Sequence, residues 1–278
     1  MERFNSLINV ENDGLYIDEV GSWSKEKYNL VGAYCDIFST GMKNKWENLI
    51  YIDLFAGSGY SHIKNTKDVY KNSALIALSV PNKFSKYILC EKDPVKCNAL
   101  RERISRDYSE CNFVVLEGDC NKLANQIIKL IPKYSKTNRV LSFCFADPYS
   151  LDFDFSTIFT LGKDKLVDFL ILQALHMDGN RNFDLYYKSN NKRIGKYLGN
   201  TNWRDEYKNQ NIVKFLANQY QLKMSELNYQ ETPLMHQIHS DEKHLPLYYL
   251  SFFSKSKTGV DFFEKVKKRI NSQISLNL

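Results

Sequence analysis

The chain has 278 residues, 43% of them hydrophobic and 25% charged, with a formal net charge of +6. These proportions exclude both a disordered chain and a membrane bundle, and the length suits one enlarged α/β domain better than two independent ones. The mild positive charge permits attraction to phosphates without requiring it.

Trp23 to Phe38 predicts the first helix, because apolar groups recur at 27, 30, 31, 34 and 38 once the aliphatic stem of Lys27 is counted. Ser22 or Ser24 can cap it. Ile50 to Phe55 is a β-branched and aromatic run that stops in Ala56-Gly-Ser-Gly59, which reads as a buried strand feeding a tight turn. Glycines there accept positive φ and let backbone amides approach a ligand, so the stretch reads as a nucleotide-type cofactor turn; an ordinary α/β turn is the alternative. A dinucleotide loop is disfavoured because His62 stands where a third glycine belongs, and a P-loop fails because no Gly-Lys-Ser/Thr follows.

Ser61 to Asn72 is polar and reads as a loop, and Ser73 to Val80 as a short helix. Lys86 to Cys90 is the second strand, ending at Glu91, whose carboxylate is placed to accept hydrogen bonds from ribose hydroxyls. Asp93 and Pro94 are assigned instead to the cap and first position of a helix over Val95 to Tyr108. Asn112 to Leu116 is the third strand, followed by Gly118 and Asp119, and Lys122 to Leu130 is a helix that Asp119 can cap. Val140 to Phe145 is the fourth strand and runs into Ala146-Asp-Pro-Tyr-Ser150.

The fifth strand, Leu166 to Leu172, exits toward His176 and Asp178. Asn180 to Gln210 then carries seven Lys/Arg against three acidic residues, interleaved with Tyr186, Tyr187, Tyr197, Trp203 and Tyr207. Two readings fit: a single-stranded nucleic-acid surface using Arg181, Lys192, Arg193 and Trp203 with His176 nearby, or a helical insertion over 180–230 packing its rings on the core. Thr232 to Ser240 and Leu247 to Ser254 alternate like a terminal hairpin, joined by Asp241-Glu-Lys-His244, and Gly259 to Ile270 is the closing helix. Its Lys265, Lys267, Lys268 and Arg269 would then complement the helix dipole.

Asp53-Leu-Phe-Ala-Gly-Ser-Gly59 resembles the first motif of class I S-adenosylmethionine-dependent methyltransferases. Together with Asn72-Ser-Ala-Leu-Ile-Ala-Leu78 and Ala146-Asp-Pro-Tyr149, it resembles more narrowly the three-Cys-motif partner proteins, over roughly Gly21 to Ile270. The resemblance implies a Rossmann-like, doubly wound, mostly parallel sheet with a C-terminal antiparallel hairpin, as one methyltransferase-like domain over 1–278. It implies S-adenosylmethionine held by Asp53, Phe55, Ala56, Gly57 and Gly59, with Asp119 at the adenine. Gly21, Trp23 and Lys27 match a family stretch beside the cofactor pocket, which adds Lys27 to that set. Asp147, Pro148 and Tyr149 correspond to the acceptor motif of amino-group methyltransferases, in which an acidic group and a carbonyl take the exocyclic N–H bonds and an aromatic ring stacks on the base. The family pattern is Asp-Pro-Tyr-Gly, so Ser150 is a departure. A three-Cys-motif protein is the implied partner, and a scaffold retaining the fold without the reaction is the alternative. Cytosine C5 chemistry lacks the cysteine it needs beside a proline.

No 18-residue apolar run occurs, so no membrane span is expected, and Met1 to Ser6 lacks an apolar signal core, which predicts a cytoplasmic protein. The six cysteines, at 35, 90, 97, 111, 120 and 144, form no CxxC and accompany no histidine at metal-ligand spacing. Neither a structural metal nor a disulfide framework is expected.

Overall fold

The computed structural model describes residues 4–188, 190–230, 235–239 and 246–274. In chain order these form β1 (Asp18–Val20), α1 (Ser24–Met42), β2 (Asn48–Asp53), β3 (Tyr60–Ile63), β4 (Val69–Lys71), α2 (Ser73–Ser79) and β5 (Lys86–Glu91). Next come α3 (Pro94–Asp107), β6 (Phe113–Glu117), α4 (Cys120–Leu130), β7 (Val140–Ala146), α5 (Phe155–Gly162) and β8 (Val167–Gln173). A π-helical turn (Leu175–Asn180) leads into α6 (Phe183–Tyr187), α7 (Arg193–Leu198), α8 (Trp203–Tyr207) and α9 (Ile212–Glu226), and β9 (Met235–His239), β10 (Pro246–Phe253) and α10 (Lys257–Ile274) close the chain.

A seven-stranded sheet has the order β6-β5-β2-β7-β8-β10-β9. Its strands β6, β5, β2 and β7 are parallel, whereas β10 runs antiparallel to both β8 and β9. The order reverses at β2, which makes its carboxyl end the switch point where open α/β sheets bind ligands. This is a Rossmann-like, mostly parallel arrangement with a C-terminal antiparallel hairpin.

The chain divides into two compact units, Met1–Phe145 with Asp261–Leu278, and Ala146–Val260. In the first, β2 is buried at five of its six positions, as a parallel strand covered on both faces must be. Tyr34, Phe38, Tyr51, Phe84 and Phe143 interlock around it with ring centroids 4.5–5.9 Å apart. Asp93 caps α3 ahead of Pro94 and Asp119 caps α4, as the sequence indicates, and Asn72 caps α2; at α1 the N-cap is Trp23 with no side-chain cap bond, not the expected Ser22 or Ser24.

Four elements differ from expectation. The stretch Ser61 to Asn72 is not a loop; β3 and β4 form an antiparallel pair, and β1 runs parallel to β3 in a separate three-stranded sheet. Its polarity belongs to the turn residues Lys64 to Asp68, where Asn65 takes φ +62°, while Tyr60, Ile63 and Val69 are buried. Helix α1 runs on to Met42. Helix α5 was not anticipated, its short Phe155, Ile158 and Leu161 pattern spanning only two turns. Helix α10 continues to Ile274, so Lys265 to Arg269 lie in its middle, away from the terminal carbonyls that the dipole argument requires.

In the second unit β8 is buried throughout and pairs with β10 in the register Leu172 with Leu250. Of the expected hairpin, Thr232 to Leu234, Ser240 and the Asp241 to His244 link lie outside the described residues. Helices α6 to α9 turn most of their rings inward, Tyr187 staying exposed: Phe183, Trp203, Tyr207 and Phe215 form one cluster and Phe155, Tyr197, Tyr220 and Phe253 another.

Candidate functional site

In the first unit, the carboxyl ends of β2, β5 and β6 are stitched into one rim by backbone bonds. The Ala56 amide donates to the Cys90 carbonyl (2.9 Å) and the Gly118 amide to the Glu91 carbonyl (2.8 Å). Gly57 and Gly59 take φ +61° and +98°, which lets the turn fold back over β5. Asn72 fastens this turn to α2: its side-chain amide donates to the Ala56 carbonyl (2.7 Å), its backbone amide to the Gly59 carbonyl (2.8 Å), and its oxygen caps the helix.

Glu91 lies at the centre of the rim. One carboxylate oxygen accepts from the Gly57 amide (2.9 Å), and the other from the amides of Lys92 (2.7 Å) and Asp93 (2.8 Å). A carboxylate offers about four acceptor directions, so one remains on the oxygen that faces Gly57. Phe55, Gly57, Glu91, Gly118 and Asp119 are all reachable from solvent. Asp119 keeps one oxygen on the Asn121 amide (3.0 Å), capping α4.

Asp53, expected against the cofactor, is fully buried, and accepts from the Tyr51 hydroxyl (3.0 Å) and the Phe55 amide (3.2 Å). It shapes the turn from beneath, while burial and then its charge drive the Tyr51 pKa far up and keep that hydroxyl protonated. Ala56 and Gly59 are likewise enclosed, so their part is conformational. Lys27 sits on the buried face of α1 with its ammonium 5.0 Å from the Tyr28 ring centre.

The N-terminal segment holds the turn from its other side. Asp18 accepts from the Ser58 amide (2.7 Å) and pairs with Lys96 (2.7 Å). Burial alone would depress the Lys96 pKa, but the Asp18 carboxylate reverses this and raises it. Arg103, completely buried, donates to the Ser58 carbonyl (2.7 Å), to the Tyr16 carbonyl (2.9 Å) and bidentately to Asp13 (2.6 and 2.9 Å). That pairing holds the Asp13 carboxyl down at about 2. Sequence reasoning passed over Arg103, though a signal existed: it falls between Leu100 and Ile104 on the apolar stripe of α3, where an arginine needs buried partners.

In the second unit, Asp147, Pro148 and Tyr149 follow the last residue of β7. Pro148 is buried, Asp147 half-buried, and the Tyr149 ring is 81% exposed. His176 stacks on Tyr249 at 5.6 Å and contacts its hydroxyl (3.3 Å), and burial, with His239 nearby, lowers its pKa. One expected nucleic-acid contact is corrected. Trp203 is 0% exposed, walled in by Phe183, Tyr187 and Phe215, so it cannot stack on a base. Arg193 is partly exposed, pairs with Asp152 (2.6 Å) and lies over the Tyr186 ring. Arg181 and Lys192 are exposed, as are Lys188 and Lys196.

Among the described residues no group of three or more His, Cys, Asp or Glu could hold a metal ion, and no helix is long and apolar enough to cross a membrane.

No protein-family model and no curated protein matches the chain. Among solved structures it is similar to an O-methyltransferase from Bacillus cereus in complex with SAH, at 12% identity and a TM-score of 0.47 over 81% of this chain and 80% of that one. It is also similar to TYW2 from M. jannaschii in complex with AdoMet, at 10% identity and a TM-score of 0.43 over 92% of this chain and 90% of the other.

Proposed function

We propose that this chain is an S-adenosylmethionine-dependent methyltransferase, of the three-Cys-motif partner kind, acting on an exocyclic amino group of a nucleic-acid base. The observation that carries this reading is the rim in the first unit: three successive strand tips at the switch point, joined by backbone bonds, present Gly57, Glu91, Gly118 and Asp119 to solvent. The donor set fits the cofactor. The remaining acceptor direction of Glu91 suits a ribose hydroxyl, Asp119 suits the adenine amino group, and the glycine turn leaves room for the methionine part. S-adenosylmethionine, when bound, supplies an electrophilic methyl group to a nitrogen lone pair.

The residues of this chain do the orienting. Asp147 and the Pro148 carbonyl accept the two N–H bonds of the target amino group, which leaves its nitrogen lone pair free to take a methyl group. Such a reaction needs positioning more than a strong base. Tyr149, held out in solvent, stacks on the base once that base has left its own stack. Exposed Arg181, Lys188, Lys192 and Lys196 contact phosphates.

A scaffold working with a three-Cys-motif protein is the second reading. One observation favours it: the Gly57 and Ser58 amides are already taken by the chain's own carboxylates, Glu91 and Asp18. Methyl transfer from tritiated cofactor to total DNA, total RNA and protein in parallel, with wild type and Asp147→Ala, separates the two. An enzyme labels one nucleic acid, and Asp147→Ala abolishes the label while binding the cofactor normally. Calorimetry showing no binding of S-adenosylmethionine or its demethylated product leaves the scaffold.

A further inference from the structure

The loop that carries Asp147, Pro148 and Tyr149 is tied down immediately after the tyrosine. Asp178, 94% buried within the π-helical turn, accepts from the Leu151 amide (2.8 Å), the Asn182 side chain (2.6 Å) and the Tyr186 hydroxyl (2.5 Å). A buried carboxylate is tolerated only when donors surround it, and two of these three come from the residues just after it, the α6 N-cap Asn182 and Tyr186 of α6. The third, Leu151, is the tie to the loop. Insertion of an extra residue in a helical turn, as here, is a recurrent device at functional sites.

A second tie reaches the neighbouring residues. Arg193 pairs with Asp152 (2.6 Å) and donates to the Ser150 hydroxyl (3.3 Å), which itself donates to Asp152 (2.7 Å). The two ties share one side chain. The Tyr186 hydroxyl is bound to Asp178 and its ring lies 5.5 Å from the Arg193 guanidinium. Ser150, Leu151 and Asp152 are thus all held and β7 ends at Ala146, so the Asp147 to Tyr149 span is anchored at both ends. On that short span stands Tyr149, at 81% the most exposed aromatic residue among the described residues.

We infer that Asp178, Tyr186 and Arg193 are positioning residues, a clamp that fixes the Asp147 to Tyr149 span and presents the Tyr149 ring as a platform for one planar, unstacked base. This rests on the methyltransferase reading. It also gives Ser150 a purpose: the hydroxyl that departs from the family's glycine gives Arg193 a second contact on the loop, beside Asp152.

Tyr186→Phe tests the clamp, because it removes the hydroxyl and keeps the ring; Ser150→Gly tests the serine's share of the second tie. Both variants are compared with wild type for kcat, KM and cofactor affinity, and for hydrogen exchange at the Leu151 amide. The clamp predicts that Tyr186→Phe lowers kcat at least tenfold, leaves cofactor affinity within twofold, and speeds Leu151 exchange at least tenfold, with Ser150→Gly showing a smaller fall in kcat. Unchanged Leu151 exchange refutes the tie, and faster exchange with unchanged kcat refutes the positioning role. If wild type transfers no methyl group, the reading beneath the proposal fails and the positioning role with it, while Leu151 exchange still decides whether the tie exists.

Discussion

Substituting Gly57 by alanine strikes the rim at its tightest point. The residue takes φ +61°, where an L-side chain costs about 1–2 kcal/mol. A Cβ there would stand 2.8 Å from Asp18 Oδ2 and 2.9 Å from Asn72 Nδ2. Both atoms end short side chains that could swing aside, but each is engaged: Asp18 accepts from the Ser58 amide and Asn72 donates to the Ala56 carbonyl. Losing a neutral hydrogen bond costs about 1 kcal/mol and one to a charged group about 2 kcal/mol, which brings the total to roughly 4–5 kcal/mol if neither re-forms. If both re-form, only the backbone strain of about 1–2 kcal/mol remains. Urea unfolding measures the stability loss, and calorimetry of the folded variant measures cofactor affinity. Gly57→Ala should lose stability within that range and bind the cofactor at least tenfold more weakly. A variant as stable as wild type with unchanged affinity would refute the argument that this turn is both strained and part of the site.

Two further outcomes follow from side chains the structure encloses. Trp203→Phe, which shrinks a ring with no exposed surface, should cost about 1–3 kcal/mol in urea unfolding without weakening oligonucleotide binding; weaker binding at unchanged stability would return Trp203 to the nucleic-acid surface. The Arg103 guanidinium lowers the Asp13 carboxyl from 3.8 to about 2, so this pair's contribution is complete above pH 3.8 and is lost as pH falls through about 2. The stability gap between wild type and Asp13→Asn should therefore close over that interval, and a gap independent of pH would contradict it.

The parts of this fold written in local chemistry were legible in the sequence. The apolar run of β2 and its glycine turn, the caps Asp93 and Asp119, and the alternation in β10 all announce themselves within a few residues. Parts that depend on distant partners were not. The basic and aromatic stretch around Trp203 has the composition of a nucleic-acid surface, yet its rings are drawn inward because helices as short as α6 and α8 are stable only when packed. The bond between Asp178 and Leu151 joins residues 27 apart, and the pairing of Arg103 with Asp13 joins residues 90 apart. No local periodicity encodes either. Asp53 shows the same limit in reverse: its place at a strand tip was evident, but its enclosure by Tyr51 and the turn emerges only in three dimensions.

The central claim, that the ends of β2, β5 and β6 bind S-adenosylmethionine, is tested most directly by amide hydrogen exchange with and without its demethylated product at saturating concentration. Protection should rise together at residues 55–59, 92–93 and 118–119. No change in any of the three stretches, or protection confined to the second unit, would contradict it.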